Sequence, residues 1–374
     1  MKILYNIGSI AGAGGTDRVI TSKANWLADN GYDVVIVTTS QGGRPSFFEL
    51  DPRVRCIDLG IDYRRWKGNP LRRHLLRPFK RIVHRKRLKE VLMRERPDIT
   101  IMTGNDIGFD IKDGSKKISE SHFARGFKLN QQTSNPIRSL INAYWTWQKM
   151  HYGRKYDAFV CLTEEDKEDW GPKMTNIRAI PNFIRHTDAP LASLQNKQAI
   201  AVGRLVNVKR FDRLIDAWAL VHRSHPDWKL NIYGDGPLQK RLNEQIVERG
   251  LAQSVAICEP TKDIMKAYAE SSLLISTSAS EGLHMGMLEA IGCGLPVVTF
   301  GYKCGPRDLV EHGKSGFIVS EGDIEGLAEG IGRVIEDDRL RKSMGEAAYK
   351  KSLEFDQAVV MPKWVSLFDE LCKR

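Results

Sequence analysis

Nowhere in this 374-residue chain do eighteen apolar residues follow one another, so no segment reads as a membrane span. The opening, MKILYNIGSIAG, carries one lysine and an apolar run too short for a secretory core; it reads as a first β-strand. Six cysteines stand scattered at 56, 161, 258, 293, 304 and 372, with no Cys-x-x-Cys pair, which argues against a disulfide frame or a zinc site and for reduced thiols in a cytosol. Carboxylates are scarce in one place. From Arg64 to Arg96 there are fourteen Lys/Arg and two Glu, in a chain of net charge +11. That local excess implies an anionic partner, with a solvated helix face as the plain alternative.

What is present describes an ordinary globular protein: 41% hydrophobic and 28% charged residues, long enough for two domains. Apolar runs at 3–7, 33–38, 99–103, 117–121 and 158–162 read as buried strands, alternating with helix-period segments such as 17–30. After IPNFI and a polar stretch, a second series follows at 199–203, 229–233, 255–258, 273–277, 296–299 and 316–319. The fold class is therefore α/β, two Rossmann-like, doubly wound domains facing each other across a cleft. Residues 1–183 form the first domain and 184–355 the second. Residues 356–374 read as a helix, and a crossing back to the first domain is one of its two possible placements.

Three places carry chemistry. GSIAGAGGTDRVI puts Gly14 and Gly15 at a strand-to-helix turn, where the backbone can approach a ligand and a helix N-terminus offers N–H groups to an anion. An ordinary turn reads equally well there. Arg204 and Lys209, just past the strand 199–203, suit a diphosphate. SEGLHMGMLEAIGCGLPVV sets Glu281 in a loop and Glu289 in the short helix after it. Two carboxylates could be an acid/base pair, as in glycoside hydrolysis. With two cations and a helix terminus beside them, they read better as acceptors for sugar and ribose hydroxyls.

The motifs GGTDRVITSKANWLADNGYDVVIVT, YDAFVCLTEED, IPNFI, VGRLVNVKRFDRLIDAW, YGDGP and SEGLHMGMLEAIGCGLPVV, in that order, resemble those of retaining GT-B glycosyltransferases of family four (glycosyl transferases group 1), the type that builds bacterial polysaccharides. The resemblance covers nearly the whole chain. It implies transfer of a hexosyl unit from a nucleoside-diphosphate sugar, a UDP-sugar by family frequency, to a glycan or lipid-linked acceptor hydroxyl. Arg204 and Lys209 would hold the diphosphate, Glu289 the ribose, and Glu281 the sugar near its anomeric carbon. His122 would face the donor sugar, and Gly14 and Gly15 would let their loop close over the phosphates. Met285 and Gly286 complete the implied donor-binding set. His284 stands where the family often has Gly or Pro, placing an imidazole near the sugar or phosphate.

No Asp-x-Asp is present, so neither a catalytic metal nor a cofactor is expected. The basic stretch 64–96, with Trp66, Leu75, Leu76, Phe79, Ile82 and Val83 among its cations, suggests docking on the anionic inner membrane; no nucleic-acid partner is expected. The expected location is cytoplasmic, peripheral on that membrane. Ala143–Trp147 reads as part of a core helix, with an aromatic membrane contact as the alternative. A nucleotide-sugar sensor without turnover, or a nucleic-acid binder using 64–96, would be the competing functions.

Overall fold

A computed structural model describes residues 1–63, 70–104, 107–125, 136–186 and 190–373; for 70–76 and 136–139 it describes the backbone alone. Trp66 and the side chains of Leu75 and Leu76 thus lie outside the described residues.

The first half begins with β1 (Lys2–Ile7), α1 (Gly15–Asp29), β2 (Asp33–Thr38), β3 (Arg55–Asp58) and α2 (Pro70–Glu95). It continues with β4 (Ile99–Thr103), β5 (Lys116–Glu120), α3 (Pro136–Gly153), β6 (Ala158–Cys161), α4 (Glu164–Trp170) and β7 (Ile177–Ala179). The strands pair in the order β3-β2-β1-β4-β5-β6-β7, and every pair is parallel. Both faces are covered, so the strands are apolar on both sides. Ile3, Tyr5, Ile36, Ile101 and Ile118 pack on one face; Leu4, Val35, Val37 and Met102 pack on the other with Leu88, Val91 and Leu92 of α2.

The second half comprises β8 (Gln198–Val202), α5 (Phe211–Ser224), β9 (Lys229–Tyr233), α6 (Gln239–Glu248), β10 (Val255–Cys258) and α7 (Ile264–Ala269). After these come β11 (Leu273–Ser276), α8 (Met285–Gly292), β12 (Val297–Phe300), α9 (Pro306–Leu309), β13 (Gly316–Val319), α10 (Ile324–Glu336) and α11 (Asp338–Ser352). This parallel sheet has the order β10-β9-β8-β11-β12-β13. Each sheet reverses its strand order at its first strand, and crevices at such switch points are where open α/β sheets bind ligands.

The last helix, α12 (Gln357–Cys372), leaves the second domain and buries Val360, Met361, Trp364, Leu367 and Phe368 in the core of the first. The two crossings between domains run together, joined by a parallel bridge between Ile184 and Asp356. His186 pins them: Nδ1 lies 2.6 Å from Asp356 and Nε2 2.7 Å from the Ser352 hydroxyl.

α3 departs from the core-helix reading of Ala143–Trp147. Tyr144 and Trp147 are exposed, and no residue from 140 to 152 is buried. The sequence there has the apolar content of a core helix, but the sheet face is already covered by α2 and the 107–111 loop. Among the described residues no helix is long and apolar enough to cross a membrane.

Candidate active site

Two loops of the second domain are sewn together before any functional side chain is placed. The Thr277 hydroxyl donates to the Lys209 carbonyl at 2.9 Å, and the Ala279 amide donates to the Val208 carbonyl at 2.8 Å. These bonds tie the 3-10 turn Asn207–Lys209, after β8, to the loop after β11. The Lys209 ammonium then reaches Glu281 Oε1 at 2.8 Å and His284 Nε2 at 3.1 Å. Burial pushes the Glu281 carboxyl up, but Lys209 and His284 outweigh it and the net shift is downward. Glu281 is held as an anion.

His284 caps α8, its Nδ1 accepting the Met287 amide at 3.0 Å, a donor it shares with its own carbonyl. Burial first, then Lys209, lowers its pKa to about 3, so the ring is neutral and offers one acceptor nitrogen. Two donors, the Met287 amide and the Lys209 ammonium, address its two nitrogens. Only one can be accepted. The Met287 amide also has the His284 carbonyl, so the ring can accept from either donor.

α8 is otherwise apolar: Met287, Leu288, Ala290 and Ile291 are buried in the core beneath β11 and β12. Glu289 sits among them, buried, with Arg18 Nη1 at 3.0 Å from Oε1 and the Tyr268 hydroxyl donating to Oε2 at 3.2 Å. Burial raises its pKa, while Arg18 and Tyr268 oppose the rise. Arg18 comes from α1 of the first domain, so this ion pair spans the cleft.

The domains approach closely at two more points. A Cβ at Gly15 would lie 3.2 Å from Met285 Cγ, and one at Gly282 only 2.3 Å from the His122 carbonyl oxygen. Gly14 caps α1, and a Cβ there would lie 2.8 Å from Asp17 Oδ2. Burial raises Asp17 to about 6, against the pull of the Gly14 amide and Arg204. Gly286 borders Tyr268 and His284, each 3.2 Å from where its Cβ would stand.

The structure therefore clusters Glu281, Lys209 and His284 in direct contact, with Met285, Gly286 and Glu289 following on α8. Gly14 and Gly15 close the other side. Arg204 is exposed at the cleft and acts on Asp17 through its field. His122 contributes its backbone at Gly282, whereas its Nε2 lies 3.4 Å from Glu120 Oε1, on the first domain's side. Burial, with Lys23 and Lys149, lowers this imidazole to about 4 against the Glu120 charge. Behind it, Lys23 and Glu120 form a wholly buried ion pair, with Trp364 of α12 covering the ammonium at 3.8 Å.

Arg18, Tyr268 and the Lys23–Glu120 pair were not singled out from the sequence. Lys23 left a readable signal: it interrupts the apolar stripe Ile20, Ala24, Leu27 of α1. Arg18 and Tyr268 left none, since Arg18 meets Glu289 across the cleft and Tyr268 reaches it through the packing of α7 beside α8. Among the described residues, one acid-and-thiol cluster, Asp166, Asp169 and Cys304, could hold a metal. Its donors are already engaged: Asp166 by the Arg125 amide and Trp170 indole, Asp169 by Lys303 at 2.6 Å. Burial pushes the Cys304 thiol up to about 12, so it stays protonated. This cluster fastens the domains.

Two family models match the chain in succession. Residues 13–188 match the domain described as Glycosyltransferase Family 4, and residues 185–351 match Glycosyl transferases group 1. The chain is 30% identical over its full length to an exopolysaccharide phosphotransferase of Streptomyces coelicolor, but spans only 41% of that protein. It is 27% identical to the amylovoran biosynthesis glycosyltransferase AmsD of Erwinia amylovora, over 97% of this chain and 98% of the other. A crystal structure of Staphylococcus aureus TarM with UDP and alpha-GlcNAc-glycerol superposes with a TM-score of 0.79 at 17% identity, covering 98% of this chain and 99% of TarM. The last likeness shows the fold, GT-B.

Proposed function

The chain joins a Glycosyltransferase Family 4 domain to a Glycosyl transferases group 1 domain in a GT-B fold, and on that premise we propose a retaining, metal-independent hexosyltransferase. It would take a nucleoside-diphosphate sugar, a UDP-sugar by preference, and glycosylate a hydroxyl of a lipid-linked glycan in cell-surface polysaccharide synthesis. UDP in TarM and the polysaccharide named for AmsD support the donor and the product class.

One observation carries the proposal. Lys209 Nζ stands between Glu281 Oε1 at 2.8 Å and His284 Nε2 at 3.1 Å. A phosphate oxygen entering beside Lys209 would take a charge-assisted hydrogen bond from its ammonium, and Arg204 and the N-terminus of α8 would add further positive potential. In the reaction the anomeric carbon–phosphate oxygen bond breaks and the bond to the acceptor oxygen forms on the same face. The acceptor's proton passes to the departing diphosphate. Charge on that leaving group is the main burden, and preorganised donors relieve it. Glu281, kept anionic by Lys209, accepts hydrogen bonds from the sugar hydroxyls; Glu289, with Arg18 beside it favouring the charged form, does so from the ribose.

The test is calorimetric titration with UDP, paired with UDP release from a panel of UDP-sugars in the presence of EDTA. Lys209→Met removes a charge-assisted contact of ~2 kcal/mol and is expected to weaken UDP about thirtyfold. His284→Asn keeps an N-cap acceptor while deleting the Nε2 that faces Lys209, and is expected to weaken it less. Wild-type affinity in both variants would overturn the assignment.

A further inference from the structure

Two helices of the first domain overhang the sheet that anchors them. α2 has 26 residues and spans ~39 Å at 1.5 Å each; β4, which follows it, has five and spans ~17 Å. The buried residues of α2, His84, Leu88, Val91, Leu92 and Glu95, all lie in its second half, and none of 77–83 is buried. α3 repeats this, unburied from 140 to 152. First-domain strands end toward the second domain, as the contacts at Gly15 and His122 establish, and each helix starts after the strand that precedes it. Both overhangs therefore stand at the cleft end. They share one face of the sheet, where Phe109 packs between them, 5.1 Å from Tyr152 of α3 and against the cluster containing Leu88 of α2.

These overhangs are not polar. Phe79 is 67% and Ile82 66% exposed on α2; Leu140 is 72%, Tyr144 56% and Trp147 54% exposed on α3. Leu140, Tyr144, Trp147 and His151 follow at helical spacing along one stripe, their rings stacked at 6.0 Å and 5.4 Å. Beside them Arg77, Arg81, Lys86 and Lys89 form no ion pair among the described residues, and 77–89 contains no carboxylate. Nucleic acid would use the cations and leave Leu140 and Phe79 in water. An acidic protein would do the same. A bilayer surface uses both, with rings at the headgroup boundary and cations on anionic lipid.

We propose that the overhanging halves of α2 and α3 form one docking surface for an anionic phospholipid bilayer. The stripe on α3 is the inserting element and α2 the electrostatic one. Docked this way, the cleft opens at the headgroup plane, where a lipid-linked hydroxyl would reach it. The surface lies outside the donor site, so binding can be read without turnover.

The experiment is sedimentation of the full chain with vesicles of phosphatidylcholine, with or without phosphatidylglycerol. Binding is expected only with phosphatidylglycerol, weakening as salt rises. Tyr144→Ser/Trp147→Ser and, separately, Arg77→Glu/Arg81→Glu are each expected to weaken it at least tenfold while UDP affinity stays unchanged. Unaltered vesicle binding in the Tyr144/Trp147 variant would overturn the inserting role. Absence of wild-type binding would overturn the whole proposal. So would self-association abolished by Tyr144→Ser/Trp147→Ser, assigning the stripe to a second copy, or RNA binding with no vesicle binding.

Discussion

Replacing Lys23 by Met should make the stability of the first domain depend on pH in a way the wild type does not. Lys23 and Glu120 are both fully buried and paired, so removing the ammonium leaves a carboxylate without its counter-charge. Such a loss typically costs ~3–5 kcal/mol, and the contact with the Trp364 ring is lost with it. One neighbour can compensate. His122 lies 3.4 Å from Glu120 and is kept neutral by burial and by the Lys23 and Lys149 charges, its pKa lowered from 6.5 to about 4. In the wild type, the unfolded chain takes up a proton near pH 6.5 that the folded chain refuses until about 4, so stability falls as pH drops through that window. At about 1.36 kcal/mol per pH unit, His122 alone accounts for roughly 3 kcal/mol. Without Lys23 the imidazole can ionise against Glu120, and its folded pKa rises. The variant's deficit is therefore expected to be largest at pH 8 and to shrink by at least half at pH 5. Urea unfolding at the two pH values measures this, and an NMR titration of His122 follows the proton directly. Lys23→Met/Glu120→Leu should recover most of the loss. An equal deficit at both pH values, with His122 still titrating near 4, would refute the coupling.

Two further outcomes test the domain contacts. Gly282→Ala places a methyl 2.3 Å from the His122 carbonyl oxygen; turnover is expected to fall at least tenfold, with the unfolding temperature nearly unchanged, because the domains can part to relieve the clash. Arg18→Ala removes the cation that opposes burial at Glu289, so more of that carboxyl is protonated at any given pH. Donor KM should rise about tenfold, more at pH 6 than at pH 8, since a protonated carboxyl is the poorer acceptor; parallel wild-type and variant profiles would count against a ribose role for Glu289.

The central strands were legible because burial on both faces leaves a continuous apolar run: Asp33–Thr38 and Ile99–Thr103 have the same bounds in sequence and structure. The edge strands Arg55–Asp58 and Ile177–Ala179 were not, being short and carrying Arg and Asp that reach solvent. Glu281, Lys209 and Glu289 stood out by residue type and motif order. The contact of Lys209 with His284 did not, because it follows from the Thr277 and Ala279 bonds between loops about seventy residues apart. α3 misled through its composition. Aromatics at helical spacing describe a stripe, and nothing local says whether protein or another phase covers it.

The return of α12 also bears on the order of assembly. Trp364, Leu367 and Phe368 complete the core around Ile3, Tyr5 and Ile118, and Trp364 lies over Lys23. During synthesis the second domain has all its strands once residue 319 is made. The first, though translated earlier, keeps an open apolar face until residues 357–372 emerge. The half born first is thus the half finished last, and a nascent chain stalled near residue 350 would present that bare face to chaperones.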